Sequence, residues 1–259
     1  NTMEYATWAK DVHGFEPFPD TYQMATENIK LNQHVELKGR YWDSHLVKTV
    51  LMPNRDDGWF KQSDGTFASL SLTGNITTYN VGLGEQAGSF QMEDHPNNAG
   101  HNCILTDDRK DKTKYSLHTV QVNTLDSYKF ENVDAIKIDC EGYEFPILKG
   151  AIQTIKSNRP VVQLEIVEAQ CKRFNYTPDD IWDFFINKIG NYSVYDFRGQ
   201  KLPTHWLRVK GIMDRFFVPN ELEHLIVADK SVTHPGMVSK IRKRKKSKVN
   251  LNPENFEIQ

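Results

Sequence analysis

Cysteine is scarce and scattered in this chain. There are three, Cys103, Cys140 and Cys171, in 259 residues, with no C-x-x-C pair. An odd count at wide spacings gives no disulfide framework and no zinc-ligand spacing, so no metal site is read from the sequence. A reducing, cytoplasmic compartment is the expectation. Long hydrophobic runs are missing as well. None approaches the roughly 18 residues needed to cross a membrane, and no secretory leader pattern opens the chain.

What is present is ordinary globular composition, 38% hydrophobic and 25% charged. The length allows one large α/β domain or two small ones. The net charge of −2 hides an asymmetry. Residues 239–248, SKIRKRKKSK, hold seven basic residues and no acid, which leaves −9 on the remainder. Residues 236–259 read as a basic, disordered tail. A solvated end is the simplest reading. The other is an anionic partner: nucleic acid, lipopolysaccharide or an acidic membrane surface. The chain opens on Asn1, inside a stretch with the pattern of an amphipathic helix (2–9), so an N-terminal truncation is expected.

Periodicity predicts strands at 12–17 (VHGFEP), 77–84, 89–93, 117–123, 135–139 (AIKID), 160–166, 192–197 and 215–220. It predicts helices at 20–32, 146–156 and 178–189. The last carries Thr177 as cap, Pro178 at the first position and Asp180 to close a capping box. Residues 94–114 read as polar loop. A long aromatic-bearing loop or insertion lies at about 36–75. Its Tyr41, Trp42, Trp59, Phe60 and Phe67 either bury against a sheet edge or stack on a ligand. Strand and helix alternate through most of the chain. That argues for an α/β fold with a mostly parallel sheet and helices on both faces.

In such a sheet, ligands bind beyond the carboxyl ends of the strands. Glu16 stands at one such end. Its two oxygens suit two adjacent ribose hydroxyls, or it caps the next helix. Asp139, Glu141 and Gly142 stand at another, in IKIDCEGYEFPILKGA (136–151). Lys137 and Asp139 share one side of their strand by its two-residue period. They read either as a structural ion pair with Glu141 at the helix start, or as a reactive cluster.

This segment strongly resembles the signature of FkbM-type methyltransferases, and other segments agree in order. HGFEPFPDTYQMATENIKLN (13–32), TTYNVGLGEQAGSF (77–90), VQVNTLDSY (120–128) and RPVVQLEI (159–166) are similar to the family's successive strands and turns. The resemblance covers roughly residues 1–220. It implies a class I, Rossmann-like methyltransferase domain over 1–235, ending in an antiparallel hairpin built from 192–197 and 215–220. It implies S-adenosyl-L-methionine as cofactor, with a sugar, glycan or small-molecule hydroxyl as acceptor. Glu16, Pro17 and Phe18, then Asn80, Val81 and Gly82, with Asp139, become the implied cofactor residues. Pro17 and Phe18 would wall the base. Asp139, Glu141 and Lys137 become the implied catalytic group, and His118 or His101 a lesser candidate for the base. Gly100 to Asn102 resemble a family loop near the acceptor. The family's first strand and glycine-rich loop would precede Asn1 and are expected to be missing.

Two rivals remain at this level. One is another nucleotide-cofactor enzyme on a similar sheet. The other is a non-catalytic remnant that presents its tail to nucleic acid.

Overall fold

A computed structural model describes residues 5–6, 9–32, 74–95, 101–105, 115–203 and 213–226. The expectations for the helix at 2–9, the loop at 36–75 and the tail fall wholly or largely outside these residues. Of the first, only Tyr5, Ala6 and Ala9 are described, and the Ala9 N–H donates to the Tyr5 carbonyl as in a helical turn.

The first described strand, β1 (Asp11–Phe15), leads into helix α1 (Pro19–Asn32). Pro19 opens that helix, where its missing N–H costs nothing. Strand β2 (Asn75–Tyr79) returns parallel to β1, with His13 beside Thr77 and Phe15 beside Tyr79. The expected strand over 77–84 is broken at Asn80 and resumes as β3 (Gly82–Leu83), which joins a different sheet. The Asn80 side chain bridges at the break. Its Nδ2 donates to the carbonyls of Glu16 and Pro17, which ties the two chain turns together.

A second sheet holds β3, β6 (Ser116–Asn123), β4 (Gly88–Asp94) and β5 (Cys103–Ile104), in that order. The third has β7 (Ala135–Ile138), β8 (Val161–Ile166), β10 (Met213–Pro219) and β9 (Tyr192–Tyr195). Here β7 and β8 run parallel, whereas β10 is antiparallel to both β8 and β9. The expectation of a mostly parallel sheet is therefore corrected. Among the described residues the fold is mixed α/β: β4 runs antiparallel to β5 and β6, while β9 and β10 form the antiparallel pair expected at 192–197 and 215–220. The strand alternation that suggested a parallel sheet carries no information about such reversals.

The main core lies on one side of the third sheet. Ile138, Val162, Leu164 and Phe217 meet helices α2 (Glu144–Lys149), α3 (Ile152–Asn158) and α5 (Pro178–Asp183). Leu148, Ile155 and Ile181 are fully buried there. Each such side chain contributes about 1.5–3 kcal/mol of transfer free energy. A short helix, α4 (Glu168–Cys171), follows β8.

The expected helix at 146–156 is two helices, α2 and α3, parted at Gly150. A Cβ on Gly150 would lie 1.9 Å from the Gly84 carbonyl oxygen, so the two backbones touch where only glycine fits. Asp126 then caps α3, accepting from the backbone N–H of Gln153 and Thr154 and from the Thr154 hydroxyl.

The expected helix at 178–189 starts as read, with Asp180 Oδ2 accepting the Thr177 N–H at 2.7 Å. It then widens into a π-helical stretch from Phe184 to Gly190. The consecutive rings of Phe184 and Phe185 are both buried there, and the wider turn accommodates them. Among the described residues, no helix is long and apolar enough to cross a membrane.

Candidate functional site

Strands β1 and β7 both border one cleft of about 1110 Å³. Among the described residues β1 pairs only with β2, and β7 only with β8. The cleft therefore runs between two unpaired strand edges. Its lining includes Glu16 and Pro17 from the tip of β1, Gly82 from β3, and Lys137, Asp139 and Glu141 from the tip of β7. Acids at separate strand ends thus border one concavity, which also runs along the length of β1 and β7.

Glu16 does two things. Its Oε1 accepts the Phe18 backbone N–H at 2.8 Å, so it shapes the entry to α1. Its second oxygen accepts no hydrogen bond among the described residues. Burial raises its pKa, opposed by the Phe18 N–H. Phe18 is not a wall of the cleft. Its ring is buried against Met92, Val120 and Val122, with the His118 ring 4.6 Å away. Val81 is also buried, and Asn80 acts on the backbone of residues 16 and 17. Of the six residues at these two turns, Glu16, Pro17 and Gly82 face the cleft.

At the tip of β7, Lys137 Nζ lies 3.6 Å from Asp139 Oδ2, the pairing read from the strand period. Lys137 is mostly buried and Asp139 is 42% exposed, so the acid is the accessible partner. Glu141 adopts a left-handed backbone (φ 54°) and Gly142 follows at φ 104°. Glu141 Oε2 accepts from Gln170 Nε2 at 2.5 Å, and Arg173 donates to the Glu141 carbonyl. The turn is therefore fixed from outside by residues that follow β8.

The strongest organiser of the turn is Glu144, which sequence reasoning did not single out. It is 2% exposed. Its Oε1 accepts the N–H groups of Cys140 (2.9 Å) and Gly142 (3.1 Å), and the Tyr176 hydroxyl lies 3.0 Å from Oε2. Burial raises its pKa against those hydrogen bonds. The signal was the second glutamate of E-G-Y-E, at the helix start where orphan N–H groups need an acceptor.

Glu165 is a second residue missed. On β8 it directly follows Leu164, which pairs with Ile138, just as Asp139 follows Ile138 on β7. Across the other edge it pairs with Asp214. Three carboxylates therefore line up over adjacent strands at one end of the sheet. Desolvation and the charges of Asp139, Asp214, Glu141 and Glu144 push its pKa up to about 7. It lies in a run that reads as a plain buried strand, and only the register shows its neighbours.

His118, the lesser candidate for the base, sits beside Phe18 with Asp94 3.8 Å from its Nε2. His101 and Asn102 belong to the turn before β5, where Asn102 accepts the His95 backbone N–H.

These features define the class: a mixed α/β domain with acids from several strand tips gathered around one cleft. Its family follows from comparison. The methyltransferase FkbM domain matches residues 1–198, and the chain belongs to that family. A crystal structure of methyltransferase FkbM from Methylobacillus flagellatus KT is similar over 80% of this chain, at 14% identity and a TM-score of 0.41. The match takes in 36% of that protein's chain, so this chain spans little more than a third of its length. No curated protein matches the chain.

Proposed function

We propose that this domain transfers a methyl group from S-adenosyl-L-methionine to a hydroxyl oxygen of a sugar or other small molecule. The observation that carries the reading is the convergence of Glu16 and Asp139 on one cleft. The residues present fit the cofactor. Glu16 has an oxygen to spare for ribose hydroxyls. Gly82 keeps the wall open, since a Cβ there would come within 3.3 Å of Pro17 and Val122. The cleft, about 1110 Å³, is large enough for a nucleoside-sized molecule, slightly above the usual range of small-molecule sites. When bound, this cofactor supplies an electrophilic methyl on a sulfonium.

The chain's own residues supply position and proton handling. Asp139 is the exposed acid at the tip of β7 and takes, or orients, the proton of the acceptor hydroxyl. Lys137, 3.6 Å away, balances its charge. Glu165, whose pKa burial and the neighbouring acids push up to about 7, adds negative charge beside Asp139. Glu144 and Tyr176 hold the turn, so that the reacting groups keep their alignment, which can supply much of the rate.

The test is incubation of the full chain with methyl-labelled S-adenosylmethionine and a panel of hydroxylated sugars and small molecules. Label should pass to an oxygen, with S-adenosylhomocysteine formed in equal amount. Label on nitrogen or carbon would overturn the hydroxyl assignment. Failure to bind the cofactor would overturn the whole reading.

A further inference from the structure

Beside the cleft, three side chains form a cluster that the methyl-transfer reading does not use. Glu93 lies near the end of β4, and His95 stands one residue beyond the strand. Across the antiparallel pairing, Cys103 of β5 lies directly opposite Glu93. The register brings the carboxylate and the thiol together, and the chain just past β4 adds the imidazole. Their ligand atoms all lie within 4.8 Å of one another. Glu93 is 1% exposed and Cys103 3%.

We propose that Glu93, His95 and Cys103 form a binding site for a zinc-like divalent cation. The separations, within 4.8 Å throughout, are equal to or wider than those around a tetrahedral ion, so a bound ion would draw the three side chains together. Metal–ligand bonds of about 2.0–2.3 Å place neighbouring ligand atoms about 3.3–3.5 Å apart. His95 Nε2 lies 3.5 Å from Glu93 Oε2, and Cys103 Sγ lies 3.9 Å from the same oxygen. Among the described residues, His95 Nε2 is buried and makes no hydrogen bond, as a nitrogen with a lone pair kept for a metal would. The imidazole is held in place. Its ring stacks on Tyr115 with centroids 3.9 Å apart, and its backbone N–H donates to Asn102 Oδ1 at 2.8 Å.

Arg173 also approaches, with Nη1 3.8 Å from Cys103 Sγ. A carboxylate and a thiolate neutralise a divalent ion between them. Arg173 then acts as an N–H donor to the bound sulfur. Binding forms a metal–sulfur bond and releases the thiol proton to solvent. A thiol, an imidazole and a carboxylate favour zinc or cobalt over magnesium or calcium, which take oxygen ligands.

The experiment is titration of the metal-free full chain with Co(II), followed by competition with Zn(II). One equivalent of cobalt should bind with a thiolate-to-cobalt charge-transfer band, and zinc should abolish the band. Cys103→Ser should remove it, and His95→Gln should weaken binding at least tenfold. Cys140→Ser and Cys171→Ser should keep it, which assigns the ligand even if a Cys103 variant does not fold. No band in the wild type, or a band lost only with Cys140 or Cys171, overturns the site. Because the readout is metal binding, it stands or falls independently of methyl transfer.

Discussion

At the residue scale, Asp139 and Glu144 are separated by five positions and differ in what surrounds them. Asp139 faces the cleft with 42% of its side chain exposed, whereas Glu144 is sealed beneath the same turn. Asp139→Asn removes the charge but keeps the shape. It should lower kcat/KM by about 10²–10⁴-fold, the usual worth of a positioned acid or base, with an unchanged melting transition. Turnover equal to wild type would remove Asp139 from the chemistry. Tyr176→Phe should do the reverse. Leaving a buried acceptor without its donor costs about 1–3 kcal/mol, so denaturant unfolding should shift while cofactor affinity falls only modestly. The Lys137–Asp139 pair and the capping role of Asp180 were legible from spacing. Glu144 was not, because its role depends on which N–H groups a left-handed turn at Glu141 and Gly142 leaves exposed.

At the element scale, the row Asp139, Glu165 and Asp214 makes a pH prediction. The pKa of Glu165 is raised from 4.5 to about 7 in the fold. The folded state then holds the proton more tightly than the unfolded chain does. Its contribution to stability is therefore lost as pH rises from about 4.5 to about 7. Glu165→Gln should gain on the wild type across that window and leave the difference flat above it, as read by urea unfolding at a series of pH values. A difference independent of pH would show that the three carboxylates do not interact.

The break between α2 and α3 makes another prediction. Gly150→Ala would drive a methyl group into the Gly84 carbonyl. The cost should be at least the 1–3 kcal/mol of ordinary overpacking, seen as a clear fall in melting temperature. Periodicity showed an apolar stripe through Leu148 and Ile155 and ran the helix through Gly150 without a break. The stop comes from a backbone contact 66 residues away in sequence, and from the Asp126 carboxylate that restarts the helix.

For the whole molecule, element types and order were largely legible because alternation and helical spacing are local signals. Strand direction was not. The antiparallel pairing of β9 with β10 is the hairpin that the family resemblance implied, whereas the antiparallel run of β4 against β6 follows from pairings that no local pattern encodes. The Glu93, His95 and Cys103 cluster was hidden for the same reason. Its members become neighbours only when β4 and β5 pair. Glu16 and Asp139 lie more than a hundred residues apart in sequence, yet both border one cleft.

That convergence is tested most directly by equilibrium binding of S-adenosylmethionine to the full chain, wild type against Glu16→Gln. Loss of a charged acceptor for two hydroxyls is worth about 1.5–3 kcal/mol. The wild type should bind, and Glu16→Gln should weaken binding at least tenfold with the fold intact. Equal affinities, or no binding by the wild type, would contradict the account.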